Sequence, residues 1–280
     1  MTIQELAFKS LDYRKKILKY IKLANAGHTG GSLSCIDILN ILYNEILNVL
    51  PHNFSDKNRD RYIQSKGHSV EALYVVLADR GFYPESLLET LCQYQSHFIG
   101  HPTKKIPGIE QNTGALGHGL ALSVGIAIAG KMDRASYRVF TLLGDGELAE
   151  GSNWEALMAA SHYELDNLVI ILDYNKLQIT GPNKEVMKLE PLSPKFEAFG
   201  CSVREINGHD LASIKQTLQD VPFEKGKPSL IIAHTIKGKG VSYMENAIKW
   251  HHGVPNDAQY QQAMEELEDR IINLQTIVPQ

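Results

Sequence analysis

Two stretches decide the fold: Val139-Phe140-Thr141-Leu142-Leu143-Gly144-Asp145-Gly146, and, one helix later, Leu168-Val169-Ile170-Ile171-Leu172-Asp173-Tyr174-Asn175. Each opens as a short, nearly unbroken apolar run. That pattern belongs to a strand covered on both faces, not to a half-exposed strand with alternating residues. Between the runs, residues 152–163 have a helical pattern, and Ser152-Asn153-Trp154-Glu155 reads as a capping box at its start. Strand, helix and strand make one parallel crossover. Working outward, residues 230–233 form a third apolar run, and 61–65 and 202–206 are weaker strand candidates. Residues 36–47 and 70–80 carry apolar side chains at helical spacing, the second closed by Gly81 as a C-cap. Residues 257–274, with Glu265, Glu266, Glu268 and Asp269, read as a solvated amphipathic closing helix. The alternation predicts an α/β three-layer sandwich with a mostly parallel sheet, and one domain over residues 1–280.

Parallel neighbours bring their carboxyl ends to one sheet edge, about 5 Å apart. Asp145 and Asn175 each follow a strand, so they converge where open α/β sheets take ligands. A carboxylate, an amide oxygen and a free backbone carbonyl are hard donors suited to Mg²⁺ or Ca²⁺. With so few protein ligands, Mg²⁺ completes its shell with phosphate oxygens and water. Gly144 and Gly146 let backbone N–H groups approach a diphosphate, and the helix that follows aims its N-terminus at it. An isolated Asp-Gly is more often a plain turn. The spacing to Asn175 and the shared edge favour the ligand reading.

The remaining composition narrows the function classes. The chain has 280 residues, 43% hydrophobic and 21% charged, with a net charge of −4 and no polybasic block. It therefore offers no electrostatic footprint for nucleic acid or an acidic membrane. The most apolar segment, residues 120–129, is too short to span a bilayer, and the polar N-terminus lacks the core of a signal peptide. Cys35, Cys92 and Cys201 are scattered with no CxxC pair, which points to a reduced, cytoplasmic compartment. Residues 125–132 imitate a phosphate-binding P-loop, but no Ser or Thr follows Lys131 and the run is helical. His97 and His101 lie four apart without a third ligand for zinc.

Of eleven histidines, His28, His68, His101, His118 and His209 follow a glycine and His252 precedes one. Glycine neighbours suggest loops free to aim an imidazole into a site, and imidazoles suit proton transfer and oxyanion stabilisation. No motif supports His209, which reads as a solvated loop residue.

Gly144-Asp145-Gly146, followed at the distance of one helix and strand by Asn175-Lys176, resembles the thiamin diphosphate signature, and residues 144–181 resemble the diphosphate-binding (PP) domain of the transketolase family. Further matching motifs follow the family's order over roughly residues 3–265. Gly27-His28-Thr29-Gly30-Gly31-Ser32 resembles its GHPGGS loop with Thr29 in place of proline, and Ser65-Lys66-Gly67-His68 its SxGH. Gly100-His101-Pro102 resembles GHP, Thr113 to Gly119 the TGxLGxG loop, and His252-Gly253 the late His-Gly motif. Ala115 and His118 depart from the commonest family residues.

The resemblance implies that Asp145, Asn175 and the Leu177 carbonyl hold Mg²⁺, with Ca²⁺ or Mn²⁺ as substitutes. Gly144, Gly146 and Ile179 would line thiamin diphosphate, and Gly114, Ala115 and Leu116 would embrace its rings. His68 would help seat the diphosphate, with Lys237 nearby, unless Lys237 is a solvated surface lysine. Glu150 would lie between paired cofactor sites at a dimer interface, unless it is ordinary helix-capping charge. His28, His101 and His252 would handle hydroxyl and oxyanion protons, and His252 would also contact the cofactor.

The implied activity is reversible transfer of a two-carbon ketol unit from a ketose phosphate to an aldose. In the family, a second domain supplies a glutamate against the cofactor's pyrimidine ring, and no such region follows before Gln280. The expectation is a separate C-terminal transketolase subunit carrying the pyrimidine domain, in an α₂β₂ assembly; a piece of a longer chain is the other reading. Two alternatives stand beside the main one: a specialised ketolase subunit for branched or sulfonated sugars, and a non-catalytic cofactor-binding subunit.

Overall fold

The computed structural model describes residues 1–276; the last four residues of the expected 1–280 domain lie outside them. The strands are β1 (Arg61–Gln64), β2 (Val139–Gly144), β3 (Leu168–Tyr174), β4 (Ser202–Asn207) and β5 (Ser229–His234). They form one parallel sheet in the order β1-β2-β3-β5-β4. The helices are α1 (Ile3–Ala24), α2 (Thr29–Ile41), α3 (Val70–Asp79), α4 (Gly119–Met132), α5 (Gly151–His162), α6 (Asn183–Val186), α7 (Leu192–Ala198), α8 (Leu211–Gln219) and α9 (Asp257–Thr276).

The unbroken apolar runs serve two cores. Phe140, Leu142, Val169, Ile171 and Ile231 face α1, α2, α3 and α8, while Val139, Leu143, Ile170, Leu172 and Ile232 face α4, α5 and α7. Alternate residues point to opposite faces, so a strand between two helical layers must be apolar at every position. This confirms the expected α/β sandwich, and the second weak strand candidate is β4 at the sheet edge. The P-loop imitation lies inside α4. No helix among the described residues is long and apolar enough to cross a membrane.

Two local expectations are corrected. The capping box at Ser152 does not form: Glu150 is the N-cap of α5 and makes no side-chain cap, and the Ser152 hydroxyl donates instead to the Gly117 carbonyl at 2.7 Å. Residues 36–47 are only the latter part of a longer element. Thr29-Gly30-Gly31-Ser32, read as loop, opens α2, and the helix loosens into a π-turn at Leu42–Ile46. Glycines are tolerated there because the helix start packs tightly: a Cβ at Gly30 would stand 2.7 Å from the Trp250 carbonyl oxygen.

Candidate active site at the carboxyl edge of the sheet

The register sets the site. Leu143 pairs with Leu172 and Gly144 with Asp173, so Asp145 and Asn175 emerge side by side. On the far side of β3, Tyr174 pairs with His234, which carries the chain into Thr235 and Lys237. These strand ends open onto a cavity of about 310 Å³.

Asp145 is buried, and its carboxylate accepts the backbone N–H groups of Gly146 and Lys176. Burial, with the nearby Asp173 charge, raises its pKa to about 6. Asn175 is buried next to it, and its Oδ1 accepts the Leu177 N–H at 3.2 Å. The Leu177 carbonyl accepts from Lys237 Nζ at 2.6 Å, and the same ammonium donates to His251 Nδ1 at 2.8 Å. Lys237 is 2% exposed, which rules out the solvated surface lysine, and burial lowers its pKa to about 8. A cation held against carbonyl and imidazole, with no carboxylate bonded to it among the described residues, suits an anionic ligand.

The residues present fit a diphosphate and a hard divalent cation. Asp145, Asn175 and Leu177 bring a carboxylate, an amide and a carbonyl to the lining of one cavity, and glycines keep its wall bare. A Cβ at Gly146 would stand 2.8 Å from Gln178 Cγ, and one at Gly114, where φ is +139°, 2.7 Å from His101 Cδ2. The buried Gln178 Nε2 has no partner among the described residues, although its residue lines the cavity. A single 3₁₀ turn, Gly146–Ala149, follows Asp145, and α5 starts at Gly151, one residue before the expected helix of 152–163.

At the other end of the cavity lies a histidine cluster drawn from four remote segments. The His28 ring lies 5.2 Å from that of His68, 6.2 Å from His101, 5.8 Å from His251 and 4.7 Å from His252. His68 stacks on His251 at 5.4 Å. A parallel bridge joins His28 to Gly253, and the Thr29 hydroxyl donates to the Gly253 carbonyl. Burial lowers the pKa of His28 to about 4 and that of His251 to about 3, and pushes His68 well below its ordinary value; His101 is also lowered. These four rings are therefore neutral at pH 7, each with one nitrogen to donate and one to accept.

Of the other expected residues, Gly144, Leu116 and Ile179 line the cavity, the last two as exposed apolar side chains at its mouth. Ala115 and Glu150 are exposed and lie outside the lining. His209 is not a solvated loop residue: its Nδ1 donates to Asp37 at 2.8 Å, and its Nε2 accepts the Ile236 N–H at 2.8 Å.

Sequence reasoning missed four groups. His251 is overshadowed in sequence by the His-Gly motif beside it. Lys66 and Asp173 form a fully buried ion pair, and Asp173 also accepts the Ser34 and Thr235 hydroxyls. A charged residue closing an otherwise apolar strand was the available signal. Buried Glu147 accepts the Ser65 hydroxyl and the N–H groups of Gly117 (2.8 Å) and Gly144 (3.0 Å), so it ties three site loops together.

A family model for the transketolase thiamine diphosphate-binding domain matches residues 12–268. An apulose-4-phosphate transketolase subunit of Phocaeicola vulgatus is 48% identical, over 98% of this chain and 98% of its own length. A 6-deoxy-6-sulfo-D-fructose transketolase subunit of a Clostridium species is 40% identical, over 91% of this chain and 93% of its own. Among solved structures, transketolase from Campylobacter jejuni superposes with a TM-score of 0.83 at 30% identity, over 99% of this chain. The chain spans 48% of that protein, about half its length. With the strand-end donors, the bare glycine wall and a match over nearly its whole length, this chain belongs to the transketolase family through its thiamine diphosphate-binding domain.

Proposed function

We propose that this chain is the cofactor-holding subunit of a two-chain, Mg²⁺-dependent transketolase, active with a C-terminal subunit that carries the pyrimidine-binding domain, in a cytoplasmic α₂β₂ assembly. Residues 1–280 form one diphosphate-binding domain in this reading. The observation that carries it is the convergence of Asp145, Asn175 and the Leu177 carbonyl beside Lys237 at one sheet edge. Asp145, Asn175 and Leu177 would hold the metal, and Gly144, Gly146, Gly114, His68 and Lys237 would surround the diphosphate and rings.

When bound, thiamin diphosphate supplies a nucleophilic carbon and an electron sink for breaking the bond next to a ketose carbonyl. The chain's own part is positioning and proton handling. Neutral imidazoles at His28 and His101, with His252 beside them, can accept a proton from a sugar hydroxyl and return it to a developing oxyanion. The half-buried setting of His28 and His101 limits the water that would compete for those protons. The substrate is a ketose bearing an anionic group. The specialised reading, for a branched or sulfonated sugar, is favoured over a general pentose phosphate role by the names of the two subunit relatives.

The test is Asp145→Asn, with thiamin diphosphate and Mg²⁺ binding followed by calorimetry in the reconstituted complex. Removing supporting partners of a metal typically costs 10- to 100-fold, so losing a direct ligand should weaken binding by about 100-fold or more. Unchanged binding would overturn the assignment, and lost binding with normal turnover would favour a non-catalytic role. Full ketol transfer by the chain alone would overturn the two-subunit reading.

A further inference from the structure

We propose that α3 is the alignment element of the histidine cluster, with Glu71 and Tyr74 as positioning residues for His28 and His101. His68, Glu71 and Tyr74 recur at three-residue intervals, so they lie in one row along the helix and the turn before it. Glu71 Oε1 accepts the His28 backbone N–H at 3.1 Å, and its Oε2 accepts the Ser32 hydroxyl at 2.7 Å. One turn later, the Tyr74 hydroxyl donates to the carbonyls of Ile99 (2.9 Å) and His101 (3.3 Å). One rigid row therefore carries His68 and grips the main chain beside two other histidines, which come from loops far apart in sequence.

The Glu71 carboxylate is a costly choice for packing alone. It is 2% exposed, and no ion pair to it exists among the described residues. Its compensation is the start of α2, where His28 is the N-cap without a side-chain cap and the helix presents its positive end. Glutamate thus takes from another helix the N-cap N–H that a capping-box glutamate at the third helical position would take, a position held here by Gly31. An apolar residue could fill the space but would leave the His28 N–H unsatisfied and the loop free to shift. Gly27 fits the same picture, since a Cβ there would stand 2.9 Å from Glu71 Oε1.

The kinetic arm rests on the proposed ketol-transfer reading, while the spectroscopic arm does not. In the full chain labelled with ¹⁵N-histidine, Glu71→Gln should shift the His28 imidazole resonances and leave His209 unmoved, because His209 is held by Asp37. Tyr74→Phe should do the same for His101. In the reconstituted enzyme, Glu71→Gln should lower kcat per cofactor-loaded site about 10- to 100-fold with KM nearly unchanged, the size expected for small misplacement of a reacting group. Glu71→Asp should recover part of that loss. Unmoved His28 and His101 resonances in folded variants would overturn the proposal. Shifted resonances with unchanged turnover would uphold the alignment and overturn instead the substrate role assigned to these histidines.

Discussion

At the end of the cavity walled by Asp145, Asn175 and Lys237, polar groups are charged or bonded to a charge, whereas at the end walled by His28 and His101, burial keeps the rings neutral; His251 lies between, neutral yet bonded to Lys237. The first end comes from one crossover and the strand beside it; the second is assembled from loops around positions 28, 68, 101 and 251. The contrast matches the two tasks of the proposed function. An anion and a cation are held by fixed charge and open backbone, which local chain geometry supplies. In the proposed reading, proton handling falls to neutral rings that can both donate and accept, and a packed environment built by the whole fold is what keeps them neutral.

The Lys66–Asp173 pair joins the two ends and gives the largest expected effect. Lys66 Nζ also donates to the Gly31 carbonyl at the start of α2, so the pair ties the strand edge to the histidine side. Lys66→Met strands a fully buried carboxylate and should destabilise the chain by about 3–5 kcal/mol in urea unfolding. Adding Asp173→Leu removes the stranded charge and should restore much of that loss, though not the hydroxyl bonds from Ser34 and Thr235. A loss well below this range would mean that water reaches Asp173 and that the two ends are less tightly joined than the burial implies.

Acid should separate the ends next. His28, near 4, and His251, near 3, titrate in the folded chain below the ordinary histidine range. Above about pH 6.5 both states are neutral there and stability is unaffected. As pH falls from about 6.5 towards 4, the unfolded chain takes up the protons first, so stability is lost across that window. Between pH 7 and 5, wild type should lose on the order of 1 kcal/mol more than His28→Gln, read from urea midpoints at each pH. Equal slopes would show the His28 ring to be solvated.

How much was legible follows from the same contrast. The three apolar runs at 139–143, 168–172 and 230–233 fall within β2, β3 and β5, because a strand buried on both faces has no choice but to be apolar. Asp145 and Asn175 could be placed together from strand order alone. The histidines could be grouped only through family resemblance, since no local rule brings position 28 to position 252. His251, Lys66 and Glu147 escaped because partners of each lie tens of residues away. The Ser152 capping box failed for a related reason: α5 begins one residue earlier, at Gly151, and the Ser152 hydroxyl turns to a tertiary acceptor, the Gly117 carbonyl, instead of accepting a helix N–H.

The smallest effect tests the boundary between the two ends. Gly114 and Ala115 are neighbours in the loop expected to embrace the cofactor, yet only Gly114 lines the cavity. A side chain at Gly114 would press on His101, while Ala115 lies outside the lining and is exposed. If the loop works through its backbone, Ala115→Ser should change thiamin diphosphate affinity by no more than about twofold, the scale of an ordinary surface substitution of up to about 0.5 kcal/mol. Calorimetry on the reconstituted complex reads this directly. A tenfold change would place the Ala115 side chain against the cofactor or the partner chain, and the boundary of the site would then extend past the glycine wall to the exposed face of the loop.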